Sequence, residues 1–69
     1  MDRKTLLELL LKAPVTYSSN YFEVRELQVE GRRYRLVKQF AGNGKQRRCL
    51  PLRIEAYNPM KERWEKLTP

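Results

Sequence analysis

Leucines spaced as on one side of a helix open the chain, and they predict its first element. Asp2 is placed to cap the first helical turn with its carboxylate, and Pro14 ends the pattern. We therefore predict a helix within residues 1–13, which is too short to be stable alone in water and must pack on the rest of the domain. Its expected inner face consists of Leu6, Leu9, Leu10 and Ala13, with Leu7 and Leu11 beside them.

From Phe22 onward the apolar residues alternate with polar ones, which predicts β-strands. After a connector over residues 14–21, we predict strands over residues 21–30 and 32–40, joined by a two-residue turn at Glu30-Gly31. In this hairpin Leu27 faces Tyr34, Val24 faces Val37, and Glu26 faces Arg35. The apolar phase slips between Val24 and Leu27, which predicts a bulge or twist near Arg25.

Two further strands are predicted, over residues 49–57 and 63–67, with Asn58-Pro59 starting the turn between them. A tight turn at Asn43-Gly44 would oppose apolar residues with arginines. A better register places Ile54 opposite Leu36, Ala56 opposite Tyr34 and Leu50 opposite Phe40. Residues 41–49 then form a projecting, flexible basic loop. Pro51 cannot donate a ladder hydrogen bond, so the third strand is an edge there or is broken.

These elements predict a single α+β domain over residues 1–69, with the helix on one face of a four-stranded antiparallel meander over residues 22–67. Trp64 and Leu67 are expected to close its core. Residues 57–67, YNPMKERWEKL, resemble one hairpin of a kelch-type propeller blade. Because this segment occurs once and a propeller repeats its blade several times, the resemblance implies the local hairpin geometry alone.

Composition removes several classes of site. The chain has 69 residues, no histidine and the single cysteine Cys49. An internal disulfide needs two cysteines, and a structural zinc site needs four ligands that are mostly cysteine or histidine. The acidic residues each have a cation nearby in sequence, without a nucleophile and base beside them. We expect no enzyme, no metal and no cofactor. Without a membrane-span-length apolar run or a signal-peptide layout, we expect a cytoplasmic protein.

The positive charge is concentrated in the middle of the chain. Residues 31–53 hold eight cations and no acid, whereas the whole chain carries +7, so the remaining residues sum to −1. Six of these eight cations are arginines, which make planar, bidentate contacts with phosphate. The candidate binding residues are Arg32, Arg33, Arg35, Lys38, Lys45, Arg47, Arg48 and Arg53.

On the predicted register, Arg33, Arg35 and Arg53 point away from the helix and join the loop in one positive surface. We therefore predict a nucleic-acid-binding module, in which Tyr17, Tyr21 and Tyr57 are candidates for stacking on unpaired bases.

Two other interpretations remain open. The same surface would fit an acidic protein partner, as in an accessory subunit or small inhibitor, with the aromatic residues as a hot spot. The charges would also suit a solvated strand face that deters aggregation. A homodimer through the helix or an edge strand is compatible with both binding hypotheses.

Overall fold

The computed structural model describes residues 2–67, which form one helix and a single antiparallel sheet. A short 3₁₀ turn, Gly44–Gln46, lies between the third and fourth strands. The elements in chain order are α1 (Arg3–Leu11), β1 (Val15–Ser18), β2 (Phe22–Val29), β3 (Arg32–Ala41), β4 (Arg48–Cys49), β5 (Arg53–Asn58) and β6 (Arg63–Lys66).

The helix begins as its sequence predicts. The carboxylate of Asp2 accepts a hydrogen bond from the backbone N–H of Thr5 at 2.8 Å, and this bond lowers the pKa of Asp2. Leu6 and Leu10 are buried against the sheet, but Leu9 is 40% exposed. The expectation that Leu9 belongs to the inner face is therefore wrong, because a single helix on a sheet buries a narrower stripe than its wide leucine face.

The sheet order is β1-β2-β3-β5-β6, with β4 paired to the far end of β3. The predicted α+β class, with one helix on an antiparallel sheet, is confirmed. The predicted count of four strands is wrong for two reasons. The connector contributes β1, which pairs with β2, and the expected third strand is divided into β4 and β5.

The predicted β2–β3 hairpin is confirmed, including its three facing pairs. Both turn residues have positive φ, 51° at Glu30 and 79° at Gly31, as a two-residue hairpin turn requires. The β2–β3 ladder is unbroken, so no bulge interrupts this hairpin. An irregularity does lie near Arg25, but in the β1–β2 pairing, where the register shifts between Val15, opposite Arg25, and Tyr17, opposite Val24. The apolar phase slips because Arg25 lies on the helix side, where its guanidinium donates to the carbonyl of Ala13 at 2.7 Å.

The β3–β5 register is also confirmed in its central part, with Ile54 opposite Leu36 and Ala56 opposite Tyr34. At the far end of β3, however, Phe40 faces Cys49 rather than Leu50. The register changes because residues 50–52, around Pro51, belong to no strand. Leu52, within this break, packs against the core.

The core lies between the helix and one face of the sheet. Leu6 and Leu10 from α1 meet Leu36 and Ile54 from the central strands, and Leu67 packs against them as predicted. Trp64 does not close the core. It faces Tyr57 across the β5–β6 ladder, on the opposite side of the sheet.

Candidate nucleic-acid interface

The sheet face away from the helix carries arginines, glutamates and aromatic rings. Alternation along the strands turns these side chains outward, as it turns Leu36 and Ile54 inward. We call this surface the open face, and its central residues are Glu26, Arg33, Arg35, Arg53, Glu55, Tyr57 and Trp64.

Two glutamates neutralise much of the charge on the open face. Glu26 accepts from Arg33 at 3.1 Å, and Glu55, which is 9% exposed, accepts from Arg35 at 2.5 Å. Glu55 also lies 3.3 Å from the Nε of Arg53, although that N–H is not aligned for a hydrogen bond. The acid-free stretch of sequence therefore does not produce an acid-free surface, because β2 and β5 bring glutamates beside the arginines.

Aromatic rings hold two of these arginines in place. The guanidinium of Arg35 lies 4.3 Å from the centre of the Trp64 ring, and that of Arg33 lies 5.3 Å from it. Arg33 is also 5.1 Å from the ring of Tyr57, which meets Trp64 edge to face. These cation–π contacts favour a fixed arrangement of the open face.

Two predicted site residues lie on the helix side of the sheet. Lys38 faces Glu23 across the β2–β3 ladder, and its ammonium is 3.8 Å from that carboxylate. Arg32 lines a small cavity with Arg3 and Leu6 of the helix. The eight predicted cations therefore do not form one continuous surface.

The strongest concentration of unpaired positive charge is the segment of residues 42–48, which we call the basic loop. Lys45, Arg47 and Arg48 are exposed, and within residues 2–67 none of the three forms an ion pair. The predicted loop over residues 41–49 is partly ordered as strand, because Ala41 of β3 pairs with Arg48 of β4, which leaves residues 42–47 outside the strands.

Backbone geometry gives the basic loop a defined shape. The N–H of Gln46 donates to Asn43 at 3.0 Å, and the N–H of Arg47 donates to Gly44 at 3.2 Å. Gly42 has a φ of 87°, and a Cβ atom there would lie 2.5 Å from the carbonyl oxygen of Gln46. The loop can close in this way because Gly42 has no side chain.

An open cleft of about 310 Å³ separates the basic loop from the β1–β2 turn, and we call it the basic cleft. Tyr21 lies on one side of the cleft and is 57% exposed. Its carbonyl accepts a hydrogen bond from the N–H of Phe40 at 2.8 Å. Arg47 lies on the other side, with its guanidinium 4.1 Å from the ring centre of Phe40. The lining residues are Asn20, Tyr21, Gly42, Asn43, Gly44 and Arg47.

The three candidate stacking tyrosines are dispersed. Tyr21 alone lines the basic cleft. Tyr17 is equally exposed but lies on β1, opposite Val24, and Tyr57 is half-buried among the aromatic and arginine side chains of the open face. The sequence marked Tyr21 only as one aromatic among several, since no local pattern showed that β1 and β2 would bring it to the basic loop.

A larger cleft, of about 540 Å³, lies at the other end of the sheet, between the β2–β3 and β5–β6 turns. It includes Glu65, whose pKa is lowered by a hydrogen bond from the amide of Asn58. Met60 at its rim is 94% exposed. This cleft lies far along the sheet from the basic loop.

Within residues 2–67, no three side chains of histidine, cysteine, aspartate or glutamate are grouped to hold a metal ion. The one helix in this part of the chain, α1, lacks the length and apolar character needed to cross a membrane. No protein-family model matches the sequence, and comparison with curated proteins and with solved structures gives no match.

Proposed function

We propose that the protein binds nucleic acid, and that the basic loop makes its principal phosphate contacts. The observation that supports this proposal is the exposure of three cations, Lys45, Arg47 and Arg48, that have no acidic partner within residues 2–67. Such cations can contact phosphates without first giving up an ion pair. Their binding releases condensed counterions from the nucleic acid, which favours association.

The open face has a secondary role in this proposal. A phosphate approaching Arg35 or Arg53 must compete with the buried carboxylate of Glu55, which is already in place. Arg33 is more accessible, with 53% of its side chain exposed, but it is paired with Glu26. We therefore assign the main contacts to the loop rather than to the sheet.

Fluorescence anisotropy with labelled oligonucleotides across a salt series tests the proposal. Three phosphate contacts predict a slope of log affinity against log salt of about −2 on single strands and about −3 on duplex DNA. A slope near zero would contradict phosphate binding. The variant that removes the contacts is Lys45→Gln, Arg47→Gln, Arg48→Gln, and we expect it to flatten the slope.

A matched control separates local contacts from general charge. It also removes three exposed cations that form no ion pair within residues 2–67, but these lie on α1, at its C-cap and in the β5–β6 turn. The control is Lys4→Gln, Lys12→Gln, Lys61→Gln. Equal losses of affinity in the two variants would show that net charge, not the loop, governs binding.

The open face supports a second candidate function, binding to an acidic protein. Trp64, Tyr57 and two arginines form a contiguous cluster of the residue types that dominate protein–protein hot spots. Under this proposal, a nuclease-treated extract yields a stoichiometric acidic partner whose retention requires Trp64 but not the three loop cations. Retention unaffected by Trp64→Ala would contradict it. For either function we propose a cytoplasmic location, where the exposed thiol of Cys49 would stay reduced.

A further inference from the structure

We infer that the basic cleft holds one unpaired nucleotide, with its base stacked on Tyr21 and its phosphate bound by Arg47, so that the protein prefers single-stranded nucleic acid to duplex. This inference rests on the proposed function and names the substrate class of the same site. It follows from the position of an exposed aromatic ring and an unpaired guanidinium on two sides of one cleft.

The structure anchors Tyr21 while leaving its side chain accessible. Its carbonyl accepts from Phe40 at 2.8 Å, and its N–H donates to the hydroxyl of Ser19 at 3.2 Å. The same hydroxyl accepts from the N–H of Phe22 at 3.1 Å, which fixes the turn between β1 and β2. Because the backbone is held in place, a base that stacks on Tyr21 has to order only the side-chain torsions of the ring.

Arg47 is positioned in a complementary way. Its guanidinium stacks on Phe40, with 4.1 Å between the guanidinium carbon and the ring centre. Stacking occupies a face of the guanidinium and leaves its N–H groups, which lie in the plane, free to bind a phosphate. Asn20 and Asn43 line the same cleft. A side-chain amide carries both donors and acceptors, as recognition of the edge of a base requires.

The dimensions of the cleft favour an unpaired base. Its volume of about 310 Å³ is near the lower end of the roughly 300–1,000 Å³ of small-molecule sites, which suits one nucleotide. Within a duplex, both faces of a base are covered by its neighbours, so Tyr21 can stack only on a base that is unpaired or has left the stack. Phosphate contacts from the remainder of the basic loop would serve either form.

The test compares one labelled oligonucleotide, single-stranded and annealed to its complement, at the same salt concentration. We expect the single strand to bind about tenfold more tightly, in the range of one stacked base. Tyr21→Ala should weaken single-strand binding about tenfold and so remove that preference, and Tyr21→Phe should retain it. Tyr17→Ala is the control, because Tyr17 has the same exposure but lies outside the cleft.

A second measurement uses the unaltered protein, so it does not depend on the folding of any variant. An oligonucleotide whose central bases are replaced by abasic sites keeps its phosphates and loses its stacking surfaces. We expect about a tenfold loss of affinity for it.

Equal affinity for single strand and duplex, or for intact and abasic strands, would overturn the inference. If the triple variant of Lys45, Arg47 and Arg48 still abolished binding in that case, the proposed phosphate contacts would hold although the stacking inference had failed. No binding of any oligonucleotide at low salt would overturn both.

Discussion

Gly42 determines how the basic loop closes, because a side chain at this position meets the backbone. Its φ of 87° is unfavourable for other residues, and an added Cβ would lie 2.5 Å from the carbonyl oxygen of Gln46. We expect Gly42→Ala to lower the free energy of unfolding by about 1–3 kcal/mol. Gly31→Ala is the control, because Gly31 also has a positive φ, of 79°, but no atom lies within 4 Å of the added Cβ. We expect it to lower the free energy of unfolding by about 1 kcal/mol. Urea denaturation measures the free energy of unfolding of both variants. Equal losses of stability would show that the loop moves to relieve the contact between the added Cβ and Gln46.

Glu55 stabilises the open face because its carboxylate forms ion pairs with two arginines, Arg35 and Arg53. Replacing it with glutamine leaves Arg35 and Arg53 close together without a carboxylate. Breaking a fully buried ion pair lowers the free energy of unfolding by about 3–5 kcal/mol. Because the two arginine side chains are 29% and 41% exposed, solvent screens the effect, and we expect Glu55→Gln to lower it by about 1–3 kcal/mol. Glu26→Gln, at the more exposed pair with Arg33, should cost less than about 1 kcal/mol. A Glu55→Gln protein as stable as the unaltered chain would contradict this account.

At the residue scale, the sequence predicts the exposure of the loop cations but not the neutralisation of the sheet arginines. The prediction correctly placed Glu26 opposite Arg35, yet the guanidinium that reaches Glu26 belongs to Arg33. Such diagonal contacts depend on side-chain rotamers and sheet twist, which a strand pattern does not specify. Trp64 was misassigned for a related reason, because a large aromatic residue suits both a core and an arginine-covered surface.

At the element scale, the helix is attached to the sheet by few residues, and Leu10 is the most buried of them. Its exposed fraction is 0%, and it belongs to the cluster with Leu36 and Ile54. We expect Leu10→Ala to lower the free energy of unfolding by about 2–5 kcal/mol, a large part of the stability of so small a domain. Leu9→Ala, at a 40% exposed position on the same helix, should cost less than about 1 kcal/mol. Circular dichroism during thermal unfolding compares the stabilities of the two variants. Similar melting temperatures would show that Leu10 does not make the main contact between the helix and the sheet.

The elements that the sequence predicts best are those defined by local pattern. The helix start at Asp2 and the hairpin at Glu30-Gly31 follow from capping and turn chemistry, which act over a few residues. Strand β1 could not be found in this way. Its four residues, Val15–Ser18, are all exposed, so no buried face of its own holds β1, and the strand depends on its pairing with β2.

At the scale of the whole molecule, the net charge of the sequence differs in its location from the charge that stays unpaired after folding. The net charge of +7 belongs to the entire chain, but the unpaired part of the central basic stretch is gathered mainly at one end of the sheet, in the basic loop. The register of β3 with β5 contributes to this separation, since it brings Arg35 and Arg53 to Glu55. Lys45, Arg47 and Arg48 lie outside the β3–β5 ladder, with Arg48 on the short strand β4. A sequence reveals net charge directly, whereas its neutralisation depends on which strands become neighbours.

This separation predicts different kinetics for the two triple variants. Each removes three cations, so both carry a net charge of +7 − 3 = +4. Long-range steering depends on the field of the whole protein, so stopped-flow measurements should show the association rate constant falling by a similar factor in both. Dissociation depends on contacts made in the complex, so only the loop variant, which lacks Lys45, Arg47 and Arg48, should dissociate faster. Equal dissociation rates in the two variants would mean that the protein binds as a general polycation, without a localised site at the basic loop.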